Sequence, residues 1–171
     1  LNPDKQDESH MLKTVIPFVE SHYPVIPDLE GRLLIGFSKS GWGALSLLLR
    51  HPHLFDKAVG WDIGIRVDTG PFEDWDRDLA IERDFGSLEN FEKYRLSNLI
   101  RIRGRLLGDK PRLFYFNRAG HSRGPGGAEI HRLMVDLNIP HRYLYEPHRS
   151  HRWDSGWLPE AVQFLVAKAL P

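Results

Sequence analysis

The sequence predicts an α/β fold, a mostly parallel sheet with helices on both faces, and three observations predict it. Short apolar segments at 32–37, 56–62, 113–116 and 142–145 alternate with segments of helical period. The first of these strands is apolar at consecutive positions, as a strand buried on both faces is. It then runs through a bend of small residues straight into a helix, the strand–turn–helix unit from which such sheets are wound.

Taken in order, Asn2-Pro3 reads as a helix cap with proline at the first helical position. Met11, Leu12, Val15, Ile16, Val19 and Tyr23 then recur at helical spacing, with Pro17 expected to kink the helix. Residues 23–31 are turn-rich. The strand 32–37 leads into Gly36-Phe37-Ser38-Lys39-Ser40-Gly41, and a helix follows at 44–50. After the strand 56–62 the pattern loosens over 63–110, with 88–100 helical, and the stretch reads as a lid or binding excursion. The strand 113–116 opens into a glycine-rich loop, 117–127, before a helix carrying Ile130, Leu133, Met134 and Leu137 on one face. Ile139-Pro140 stops that helix. The strand 142–145, a loop holding His148, His151 and Trp153, and a final helix at 158–170 complete the chain.

At 171 residues the chain is one domain with room for a core. Lys+Arg and Asp+Glu are equal at 23 each, so no global field draws nucleic acid or an acidic membrane surface. The local Arg101-Ile102-Arg103-Gly104-Arg105 has no aromatic platform beside it and reads as a solvated loop. Cysteine is absent, which removes disulfides, thiolate metal sites and cysteine nucleophiles, and leaves the compartment open. No apolar run approaches the ~20 residues of a membrane span.

The chemistry gathers around Ser38. Strand, tight turn with a central serine, and helix make a nucleophile elbow, which lifts the hydroxyl above the sheet end at a helix N-terminus. The usual pattern is G-x-S-x-G, and here the last glycine is Ser40, a small substitute. The plain alternative is an ordinary βα turn in which Ser38 or Ser40 caps the helix. A serine hydroxyl needs a base, an acid that orients the base, and donors for the oxyanion. His151, in the loop before the last helix, is the favoured base over His148. The Lys39 backbone N–H is one oxyanion donor. Ser38, Asp62, the loop after 116 and the histidine loop all follow strands, so they gather on one rim. His148-x-x-His151 and His51-x-His53 lack a further ligand at metal spacing, so no metal or other cofactor is expected.

These residues resemble the esterase D-like branch of the α/β-hydrolases. Ile16-Pro17-Phe18-Val19-Glu20 with Tyr23-Pro24 is similar to that family's helix before the elbow. Residues 36–45 with His51-Pro52-His53-Leu54-Phe55 are similar to its elbow and helix, and His151-Arg152-Trp153 with Trp157 to its histidine loop. The resemblance implies a serine esterase with Ser38 as nucleophile and His151 as base, acting on a small-molecule ester. It also exposes two departures. The family's acid usually follows the strand 113–116, where this chain has Asn117, so the acid is expected at Asp62, with Glu129 as the alternative and a loop or cap carboxylate as the plain reading. The family's first strands would precede Leu12, so the chain is expected to be the C-terminal part of the fold, N-terminally truncated. A missing N-terminal segment or an oligomer would then cover the sheet edge beside 32–37. Acyl transfer to another alcohol, or a non-catalytic domain binding through the same rim, remain as alternatives.

Overall fold

The structure, a computed structural model, describes residues 6–63, 81–117, 124–146 and 148–167. Strands β1 (Leu33–Phe37), β2 (Lys57–Trp61), β3 (Leu113–Asn117) and β4 (His141–Tyr145) form one parallel sheet in the order β1-β2-β3-β4. Phe37 lies opposite Trp61, Trp61 opposite Phe116, and Phe116 opposite Leu144, so the carboxyl ends of the strands are level along one rim.

Successive side chains of a strand point to opposite faces, and both faces are used. Ala58, Leu113 and Tyr115 pack under α3 (Lys39–Arg50), α5 (Leu96–Arg103) and α6 (Gly124–Asp136), with Leu45, Leu48, Leu49, Leu99 and Met134. Val59, Trp61, Phe114 and Phe116 pack on the other face against Trp157 and the Ala161 and Leu165 of α7 (Leu158–Val166). Every residue of β2 and β3 is buried. β1 departs from the expectation of burial on both faces: Ile35 is 39% exposed. Among the described residues β1 has a strand neighbour on one side only, which leaves it an edge strand.

Pro17 does not break its helix. The chain runs from α1 (Asp7–His10) through a π-helical turn, Met11–Val15, into α2 (Ile16–His22), with proline in the first turn of α2. Widening the turn ahead of the ring is one of the ways a helix absorbs a missing N–H. The helix after the elbow starts at Lys39 rather than at 44. The helix expected at 88–100 is two, α4 (Leu88–Glu92) and α5, separated by residues 93–95. α6 begins at Gly124, so Gly124 to Gly127 is its first turn and not loop.

The excursion expected at 63–110 is corrected in its described part. Ile81, Phe91, Leu96, Leu99, Ile100 and Leu107 are buried, and most join the core under α3. Their helical spacing is framework, diluted in the sequence by charged outer faces. The remaining excursion residues, 64–80, lie outside the described residues, as do the cap expected at Asn2-Pro3, most of the loop after Asn117, and residues 168–171.

Candidate active site

Ser38 follows β1 and stands at the N-cap of α3 with φ 55° and ψ −123°. That is a backbone state which non-glycine residues rarely hold. The turn is clamped from several sides. The Ser38 N–H donates to the Trp61 carbonyl at 2.8 Å, and its carbonyl accepts from Trp42 at 3.2 Å. A Cβ on Gly36 would stand 2.2 Å from the Ser40 carbonyl oxygen. The close approach of strand and helix therefore falls on the Ser40 backbone, while the Ser40 side chain is free to face outward. Its hydroxyl accepts from the Phe37 N–H at 3.0 Å and donates to the Phe37 carbonyl at 2.8 Å. As the first residue of α3, Lys39 has an N–H with no intrahelical acceptor, at the positive end of the helix. Its side chain is 86% exposed and lies 3.6 Å from the Asp84 carboxylate, a partner that the sequence pattern did not flag.

Asp62 follows β2, directly across from Ser38. It also has positive φ, 44°, and its N–H donates to the Phe116 carbonyl at 3.0 Å. Its side chain is 1% exposed and forms a short hydrogen bond with Nδ1 of His151. A carboxylate only accepts, so Nδ1 carries the proton and Nε2 of a neutral ring is left as an acceptor. Glu129 is exposed on α6 and makes no such contact. Asn117, at the end of β3, is buried.

The loop that delivers His151 is built on aromatic packing. The buried Trp157 stacks on Trp61, donates its indole N–H to the Arg152 carbonyl at 3.3 Å, and lies 5.3 Å from Trp153 between ring centres. Gly156, with φ 87°, makes the turn into α7. Arg149 lies over Phe116 and between Glu146 and Glu160, at 3.6 and 3.5 Å. Arg152 pairs with Asp154. His148, the alternative base, is exposed. The imidazole of His151 lies against the ring of Phe37, 4.4 Å between centres. The base candidate thus rests on the residue before the serine and is held by the carboxylate of the next strand. In this geometry the Ser38 hydroxyl makes no hydrogen bond to His151, and contacts of this kind often tighten only when substrate is bound.

The putative-esterase family model matches residues 4–61, the stretch from the N-terminal helix through the elbow to the end of β2. No curated protein matches the chain. Solved structures do. An S-formylglutathione hydrolase from Agrobacterium tumefaciens superposes with a TM-score of 0.74 at 14% identity, over 93% of this chain and 56% of that one. FphF, a fluorophosphonate-binding serine hydrolase of Staphylococcus aureus, gives 0.70 at 17% identity, over 94% of this chain and 64% of its own. A ferulic acid esterase gives 0.68 at 18%, over 93% and 60%. The chain therefore spans less than two thirds of the length of these structures. The chain shares the α/β-hydrolase fold of these structures, and its residues 4–61 match the putative-esterase model.

Proposed function

We propose that the chain is a serine hydrolase acting on carboxylic esters. The observation that carries this reading is the buried Asp62 paired with Nδ1 of His151 on the same rim as Ser38. In the reaction the Ser38 oxygen bonds to the acyl carbon while its proton passes to Nε2 of His151. The carbonyl π electrons move onto oxygen, and the Lys39 N–H supplies one hydrogen bond to that oxyanion. Collapse breaks the ester C–O bond, and the departing alkoxide takes the proton from Nε2. Water then repeats the sequence on the acyl-enzyme and releases the acid. Asp62 keeps the ring in the tautomer that accepts at Nε2 and stabilises the imidazolium. The same residues transfer the acyl group to another alcohol if that alcohol replaces water, and product analysis with added alcohols separates the two.

The test is labelling with a fluorophosphonate, together with hydrolysis of p-nitrophenyl acetate. The expected result is an adduct on Ser38 and loss of both signals in Ser38→Ala. The absence of a Ser38–His151 hydrogen bond favours a second reading, a binding domain that uses the rim without turnover. Equal hydrolysis by wild type and Ser38→Ala, with no adduct, would establish that one instead.

A further inference from the structure

We propose that Phe37 and Ser40 position the His151 imidazole, with Ser40 acting through Phe37. This inference rests on His151 being the base. The Arg32 carbonyl and the Ser38 N–H both bond to the β2 side. Backbone groups alternate along a parallel strand, so those of residues 33, 35 and 37 face the opposite edge, which has no strand neighbour among the described residues. At Phe37 both of those groups are satisfied by one atom, the Ser40 hydroxyl. A glycine at position 40, as the usual elbow pattern has, would leave them open. The departure from the pattern thus bonds the backbone of the residue whose ring packs on the imidazole face.

The ring of Phe37 is itself held on two sides. His151 lies against it at 4.4 Å, and Trp153 packs on it at 5.3 Å between centres. Asp62 fixes the imidazole at Nδ1, which leaves rotation about that contact free. Phe37 supplies the second point of contact, on the ring face. One hydrogen bond and one face contact together define where Nε2 points, and the backbone that carries Phe37 continues directly into Ser38. A single short segment therefore places both the nucleophile and the rest for its base.

The test compares wild type with Phe37→Leu, Phe37→Tyr, Ser40→Ala and the Phe37→Leu/Ser40→Ala pair in the full chain. It reads kcat and KM for ester hydrolysis, the rate of fluorophosphonate labelling, and the low-field NMR resonance of the His151 Nδ1 proton. Phe37→Leu is expected to lower kcat and the labelling rate about tenfold, with KM little changed and the proton resonance broadened. Phe37→Tyr is expected to restore all three. Ser40→Ala is expected to lower kcat about threefold, with no further loss in the pair, because both changes act through one contact. If Phe37→Leu does not fold, the tyrosine and alanine variants carry the comparison: a broadened resonance in Ser40→Ala supports the brace, and a wild-type resonance and rate overturn it. Wild-type labelling with an unaltered kcat and resonance in Phe37→Leu overturns the positioning role alone. Additive losses in the pair overturn the link from Ser40. A wild type that takes no label on Ser38 overturns the hydrolase reading and this inference with it.

Discussion

The γ2 methyl of Ile63 sits in a slot that exists because residues 41 and 60 are glycine. A Cβ at either position would lie 2.6 Å from that methyl and 3.2 Å from a backbone carbonyl oxygen. Ile63 is fully buried and follows Asp62, whose own backbone is in the left-handed region. The slot therefore holds the turn that aims the carboxylate. Gly60→Ala is expected to cost about 2 kcal/mol of stability by urea unfolding, the range of an overpacked core. It should also slow Ser38 labelling, since Ile63 and with it Asp62 must move. The choice between the two carboxylates weighed from sequence is open to a direct measurement. Asp62→Asn is expected to lower kcat by about 10⁴-fold, as the loss of a triad acid does, because the wrong tautomer is then favoured. Glu129→Gln is expected to leave kcat unchanged. The sequence did bring Asp62 into consideration, from its place after a strand. What it did not contain was the reason to rank Phe37 or Ser40, because the imidazole that Phe37 touches is more than a hundred positions away.

Among the elements, α7 is held by an unusual contact. The nearly buried Lys57 of β2 donates its ammonium to the carbonyls of Phe164 and Leu165, each at 3.3 Å, and of Ala167. These are groups that a helix C-terminus leaves unpaired, at its negative end. Lys57→Met is expected to lower stability by about 2 kcal/mol in urea unfolding, by stranding carbonyls that the ammonium now satisfies. Because Trp157 leads into α7 and anchors the histidine loop, labelling should slow as well.

Two further ties respond to acid in separate windows. Burial, reinforced by the nearby His131 and opposed by a hydrogen bond to the Ile139 carbonyl, lowers the pKa of His141 from its usual 6.5. The fold therefore binds neutral His141 better than charged, and this contribution is lost as pH falls below about 6.5. Burial works to raise Glu8, but hydrogen bonds and charge from Arg50 and His51 outweigh it and hold the carboxyl below 4.5. Its contribution is present above that value and is lost as pH falls below it. Unfolding curves from pH 7.5 to pH 3 should show both losses. His141→Gln is expected to remove only the upper one, and Glu8→Gln only the lower.

For the molecule as a whole, what was legible in the sequence was what neighbours in the chain decide. The elbow announced itself because strand, bend and helix occupy thirteen consecutive residues, 33–45. The sheet was legible because its strands alternate with helices. The second half of the 63–110 stretch was misread because Phe91, Leu96, Leu99 and Ile100 become core only when α3 and the sheet lie against them. The exposure of Ile35 was missed because burial of a strand depends on what lies beside it, which a local pattern does not encode. Phe18, Tyr23, Val25 and Ile26 are likewise exposed large apolar residues within the first thirty positions.

The contact between Asp62 and His151 closes 89 residues of chain. Ring closure over such a distance is slow compared with forming a helix or a tight bend. A refolding molecule should thus own a finished serine turn well before it owns a working proton acceptor. Recovery of fluorophosphonate reactivity is expected to trail the return of far-ultraviolet circular dichroism, and simultaneous recovery would show that the two ends of the chain meet at the start.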